Sequence, residues 1–214
     1  MKKAAALTLV LLFACAFAVS AEEPWKPVKD ADGIKVFMRQ VPGSNSTEFK
    51  GTGDVKAPLE VVRKVYEDIP SFPQWYGFCR EARELRRDTH NHRVMYIVIE
   101  TLGPVKDRDL VADVRSEDKP DRTIITVNAI PDDLVPRQGR YVRMTELTGT
   151  VLLTRVDPET TNVVYTVRSN PGGYIPAWLS DLIQKDQPYL TIRGLREMVR
   201  KDVYYEKAGI SRNK

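Results

Sequence analysis

Five runs rich in Val, Ile, Thr and Tyr follow one another between Arg93 and Ser169 with no helix-patterned segment among them. They are Arg93 to Leu102, Arg108 to Ser116, Thr123 to Ile130, Tyr141 to Val156 and Asn162 to Ser169, separated by polar turns. Strands in direct succession pair as antiparallel neighbours, so the pattern predicts a single, strongly curved antiparallel sheet. Ile34 to Val41 and Thr47 to Val55 add a hairpin about the turn Pro42-Gly43-Ser44-Asn45, giving about seven strands. A sheet of that size must close or be covered. Only Ile175 to Lys201 is long enough to cover a concave face, with Trp178, Leu179, Leu182, Ile183, Leu190, Leu195, Met198 and Val199 on its apolar side. Pro188 is expected to kink or divide that helix.

Two short helices are expected after the second strand. Ala57-Pro58 opens one that runs to Ile69, with Leu59, Val62, Val65, Tyr66 and Ile69 at spacings of three and four. Pro70-Ser71-Phe72-Pro73 ends it, and Gln74 to Arg87 reads as a second helix carrying surface ion pairs through Arg80, Arg83 and Glu84. The fold class expected is α+β, with a curved sheet wrapped on a long C-terminal helix. A curved sheet gripping a helix leaves a space between them.

The N-terminus bounds where such a domain works. Lys2 and Lys3 precede the apolar run Ala4 to Val19, and Val19-Ser20-Ala21 offers small residues for cleavage, so residues 1–21 read as a secretory signal peptide. Two competing readings stand beside it: an uncleaved membrane anchor, and a lipoprotein in which Cys15 of Leu12-Phe13-Ala14-Cys15 carries the lipid. Residues 22–203 form the expected domain, and 204–214 a polar tail. Removing the two leader lysines lowers the net charge from +4 to near +2, which does not call for nucleic acid. Only Cys79 then remains, so an intramolecular disulfide is excluded and the fold rests on its core.

The chemistry of catalysis is hard to place on this chain. His90 and His92 lie together beside Asp88 in what reads as a polar hairpin tip, with too few fixed ligands for a metal and too much water for a nucleophile's base. Gly51-Thr52-Gly53 and Pro171-Gly172-Gly173 do not join a strand to a helix in a phosphate-cradling pattern. No catalytic residue, metal or cofactor is assigned. The strands instead are apolar on more than one face. Arg93 to Leu102 alternates Val94, Tyr96 and Val98 with Met95, Ile97 and Ile99, so both its faces are expected to be covered. In the next strand Leu110, Ala112 and Val114 are assigned inward by parity.

At Gly103-Pro104-Val105-Lys106-Asp107-Arg108-Asp109-Leu110-Val111 the chain resembles the START (StAR-related lipid transfer) family, whose members carry a Pro-x-x-x-Arg-Asp turn between two strands. Asn170-Pro171-Gly172-Gly173-Tyr174-Ile175-Pro176-Ala177-Trp178-Leu179 is similar to that family's entry into its C-terminal helix. Pro73-Gln74-Trp75 and the run from Leu134 to Arg143 match more weakly, and the resemblance spans about residues 25–201. It implies a helix-grip fold holding one hydrophobic ligand, such as a sterol or phospholipid, in a tunnel beneath the C-terminal helix. Departures at Val151, Arg155 and Asn170 bear on which ligand.

Family position implies a tunnel lined by Phe72, Tyr76, Leu179, Ile183, Gln187 and Leu190, and Tyr96, Leu110, Ala112, Val114, Met144 and Tyr165 are the candidates from the strands. Gly103 and Pro104 would shape its mouth, Gly172 and Gly173 a joint before the helix, and Arg108 with Asp109 a charged anchor. The function expected is a monomeric, non-enzymatic lipid carrier, most naturally periplasmic in a Gram-negative bacterium and making transient membrane contact. Two alternatives are a helix-grip enzyme of the polyketide cyclase or aromatase type, and a protein-docking module whose tunnel is filled by side chains.

Overall fold

The computed structural model describes residues 24–42, 46–101, 103–131 and 134–212. Residues 1–23, where the secretory leader, its cleavage site and Cys15 are expected, and the side chain of Trp178 lie outside the described residues. Ten strands form one sheet: β1 (Lys26–Ala31), β2 (Ile34–Gln40), β3 (Thr47–Val55), β4 (Cys79–Thr89), β5 (His92–Ile99), β6 (Arg108–Asp118), β7 (Arg122–Ala129), β8 (Val142–Arg143), β9 (Glu146–Asp157) and β10 (Thr160–Asn170). Their order across the sheet is β1-β2-β3-β10-β9-β7-β6-β5-β4, every neighbour antiparallel, while the two-residue β8 pairs in parallel with β6. The expected antiparallel sheet is present, with ten strands rather than seven.

The differences have physical causes. Residues 79–89 form β4, not a helix, although Arg, Glu, Ala and Leu all favour helices. Pairing along β5 overrides that propensity, and β4 lies at the sheet edge, where its outward charges pair locally, as Arg87 does with Glu84 at 2.6 Å. What precedes β4 is a short 3-10 helix, Ile69–Gln74. The lead contains β1, joined to β2 by Asp32-Gly33 with both residues at positive φ (54° and 66°), a tight hairpin turn. Residues 141–156 are not one strand: the chain breaks between β8 and β9. His92 belongs to β5, its Nε2 against the Asp113 carboxylate, rather than to the turn.

Helix α1 (Leu59–Glu67) buries Leu59, Val61, Val62, Val65 and Tyr66. The long helix α2 (Ala177–Met198) lies on the concave face against β2, β3 and β10, and runs through Pro188 undivided. Its approach explains Gly51: a Cβ there would stand 2.8 Å from the Pro188 Cβ. The end of the chain is not a polar tail throughout, because α3 (Asp202–Ala208) packs on α1. There Tyr204 is buried and donates to Asp68 at 3.0 Å, and Gly209 in the left-handed region ends the helix.

Candidate ligand cavity

The concave face holds two adjoining chambers. The first, about 700 Å³ including its opening, lies under α1, bounded by Tyr66, Ile69 and Phe72 above and Arg93, Met95 and Val114 below. The second, about 850 Å³ including its opening, lies under α2, where Ile183 and Gln187 face Leu110, Met144 and Tyr165. Tyr76, Ile97 and Val127 line both, so these side chains stand where the two adjoin. The walls are overwhelmingly apolar, which suits hydrophobic cargo and disfavours polar solutes.

Aromatic rings build this junction. Phe72 stacks on Tyr76 at 5.4 Å between centroids, and Tyr76 meets Tyr165 edge-on at 6.1 Å. The hydroxyls of Tyr76 and Tyr165 share a hydrogen bond of 2.8 Å. Burial pushes the phenols of Tyr66, Tyr76 and Tyr165 up from their usual value, so all three stay neutral hydroxyls. Gln187 spans to Thr191 through Nε2 at 3.4 Å, while its Oε1 is buried without a partner among the described residues. The hydroxyl of Tyr66 is in the same condition.

Eight of the sequence candidates line these chambers: Phe72, Tyr76, Leu110, Val114, Met144, Tyr165, Ile183 and Gln187. Ala112 faces the same side but lies in the packed core; Leu179 is buried, and Leu190 packs at the core's margin. Tyr96 does not belong to the cavity. It points to the opposite face of the sheet, in a second cluster with Val94, Val98, Val111 and Val135, and donates to Asp109 at 3.0 Å. The register requires this, since Ile97 pairs with Leu110 and Met95 with Ala112, which puts Met95 and Ile97 on the cavity side. Arg93 and Tyr66, both on the cavity wall, were not among the candidates. Arg93 shares the parity of Met95 and Ile97, and that was its signal.

The Arg-Asp pair divides its work between the two faces. Arg108 turns inward onto the second chamber and donates to the carbonyls of Lys106, Pro171 (3.2 Å), Gly172 (3.0 Å) and Tyr174 (3.4 Å). Asp109 turns outward, paired with Arg143 at 2.9 Å, and both side chains are almost wholly buried. Arg108 thus fastens the segment leading into α2, in which Gly172 and Gly173 hold φ of +61° and +60°. Gly103, at φ +96°, and Pro104 are exposed on the loop between β5 and β6.

An antiparallel sheet curved around a long helix, with an apolar cavity between them, defines a helix-grip protein. The chain belongs to the START domain family, whose model matches residues 16–201. It is 31% identical over 198 residues to an uncharacterized protein of Pseudomonas aeruginosa, covering 91% of this chain and 98% of that one. It is also similar to the phosphatidylcholine transfer protein of Mus musculus, 22% identical over 167 residues, 76% of this chain and 77% of the relative. Among solved structures, the STAR-related lipid transfer protein of Xanthomonas axonopodis superposes with a TM-score of 0.74 at 32% identity, covering 83% of this chain and 99% of that one. Human StAR-related lipid transfer protein 5 shares the fold, with a TM-score of 0.72 at 18% identity and coverage of 82% and 86%.

Proposed function

We propose that this protein binds one lipid-like molecule in the two-chambered cavity and carries or presents it outside the cytoplasm, without catalysing a reaction on it. The observation that carries the reading is the cavity itself, apolar on nearly every wall. Lipid transfer proteins among the relatives support the same cargo class. Burying roughly 300–400 Å² of ligand surface at about 25 cal/mol per Å² contributes about 8–10 kcal/mol before association losses, a scale compatible with micromolar affinity.

The polar groups of the junction choose among lipids. Tyr76, Tyr165 and Gln187 offer hydroxyl and amide partners to an ester, amide or hydroxyl group in mid-cavity, where any unpaired polar atom is penalised. Entry and exit follow movement of α2 about Gly172-Gly173, beside the loop of Gly103 and Pro104. The carrier works as a monomer that touches membranes transiently.

Native mass spectrometry, with lipid extraction, of protein purified from its own cell envelope tests the reading. The expected result is a one-to-one adduct of lipid mass. Protein that is folded yet yields no lipid overturns it.

A further inference from the structure

Arg93 is only 7% exposed, and among the described residues its guanidinium makes a single long hydrogen bond, 3.4 Å to the Glu67 carbonyl. Every carboxylate in its neighbourhood has another cation. Glu67 pairs with Lys64 at 2.8 Å, Asp118 with Arg63 at 3.3 Å, and Glu84 with Arg87 at 2.6 Å. Arg93 therefore brings one positive charge to the wall of the chamber under α1 with no carboxylate in contact. A guanidinium does not discharge at neutral pH, and burial weighs against its charge more than Glu84, Glu67 and Asp118, acting from a distance, favour it. Arg108, the other buried arginine on the cavity wall, differs, since its donors are engaged by four carbonyls.

A second group faces the same chamber. The Tyr66 hydroxyl, on α1, is buried and has no partner among the described residues, and burial keeps it neutral. Glu67 and Asp118 line the same chamber, but Lys64 and Arg63 already hold them, so the Arg93 guanidinium and the Tyr66 hydroxyl are the groups this end offers to an acceptor that bears negative charge. The position suits the end of an amphiphile. Arg93, Met95, Ile97 and Ile99 succeed one another along the inner face of β5, an apolar floor about 20 Å long that continues from this end into the second chamber.

We infer that the α1 end of the cavity is the binding site for a lipid's anionic headgroup, a carboxylate or phosphate monoester held between the Arg93 guanidinium and the Tyr66 hydroxyl, with the acyl chain running past Tyr76 into the chamber under α2. The inference rests on the lipid-carrier reading and narrows its cargo to anionic amphiphiles with a small headgroup.

The test compares cis-parinaric acid with its methyl ester, by fluorescence titration of the delipidated protein. The acid binds at least tenfold more tightly than the ester. Arg93→Gln, checked for a cooperative thermal transition, brings that ratio close to one; Arg93→Lys retains much of it, and Tyr66→Phe lowers it about threefold. Equal affinity for acid and ester in the unaltered protein, or a ratio that survives Arg93→Gln, overturns the headgroup site while leaving the carrier reading standing. Failure of both probes to bind folded, delipidated protein overturns the carrier reading and this site with it. Inorganic phosphate separates a lipid headgroup from a free anion. Displacement of the acid only by amphiphilic anions supports the proposal, and displacement by millimolar phosphate with no acid preference overturns it.

Discussion

Asp109 and Arg143 show how a single position can serve the cavity without touching it. Their buried ion pair, joined by the Tyr96 hydroxyl and the Val135 carbonyl, pins the chain before β9 to the outer face of the sheet. Removing one partner leaves the other charged and buried, so Asp109→Leu or Arg143→Met alone costs about 3–5 kcal/mol. The double replacement costs markedly less, and urea unfolding midpoints of the three variants check the difference. Cys79 supplies a second residue-level expectation. Burial pushes its thiol up to about 12, so iodoacetamide at pH 8 labels it only after denaturation. Labelling of the native protein at the rate of a free thiol contradicts this. The inward parity of Leu110, Ala112 and Val114 was legible because β6 carries Asp113 and Arg115 on its other side. Tyr96 was not, because β5 is apolar on both faces, and only its pairing with β6 decides which side meets the ligand.

At the scale of elements, α1, the β2–β3 hairpin, the strands β5, β6, β7, β9 and β10 and α2 could be read from periodicity because each packs an apolar face. The elements that could not are those stabilised by their surroundings. β4 carries a helix-forming composition but gains its hydrogen bonds from β5, and β1 hides behind Pro27 and three charged residues even though Asp32-Gly33 signals its turn. Close contacts also decide what cannot be seen locally. A Cβ at Gly194 of α2 would sit 2.3 Å from the Trp75 carbonyl oxygen, so Gly194→Ala is expected to destabilise by about 1–3 kcal/mol or more, measured by thermal melting. The joint before α2 responds differently, because a Cβ at Gly172 or Gly173 meets nothing nearer than 3.5 Å. Alanine at both costs backbone energy of about 1–2 kcal/mol each in the left-handed region and narrows the conformations open to a moving joint. Exchange of a fluorescent lipid slows in that double variant, whereas Arg108→Met, which releases the carbonyls of residues 171, 172 and 174, speeds it. Stopped-flow release into acceptor vesicles reads both directions, and unchanged rates in both variants exclude this joint as the gate.

For the whole molecule, the leader and the cavity have to be considered together. A domain that encloses its cargo can move lipid through water only if it is free of the membrane it loads from, so the fate of residues 1–21 decides between shuttle and tether. The basic start, the short Ala-rich apolar run and the small residues at Val19-Ser20-Ala21 favour cleavage over a lasting span, which needs about twenty apolar residues. The consequence is measurable without knowing the ligand. If residues 1–21 are cleaved on export, intact mass spectrometry is expected to place the N-terminus at Glu22, and osmotic shock to release the protein with the soluble envelope fraction. A chain beginning at Cys15 with an added lipid mass, retained in the membrane fraction, makes the same cavity a tethered presenter. Its reach is then set by the few residues between the anchor and β1. A free shuttle would deliver lipid between two separated vesicle populations, while a tethered one would exchange lipid only with membranes it can touch, so a transfer assay with donor and acceptor vesicles kept apart tells the two mechanisms from each other.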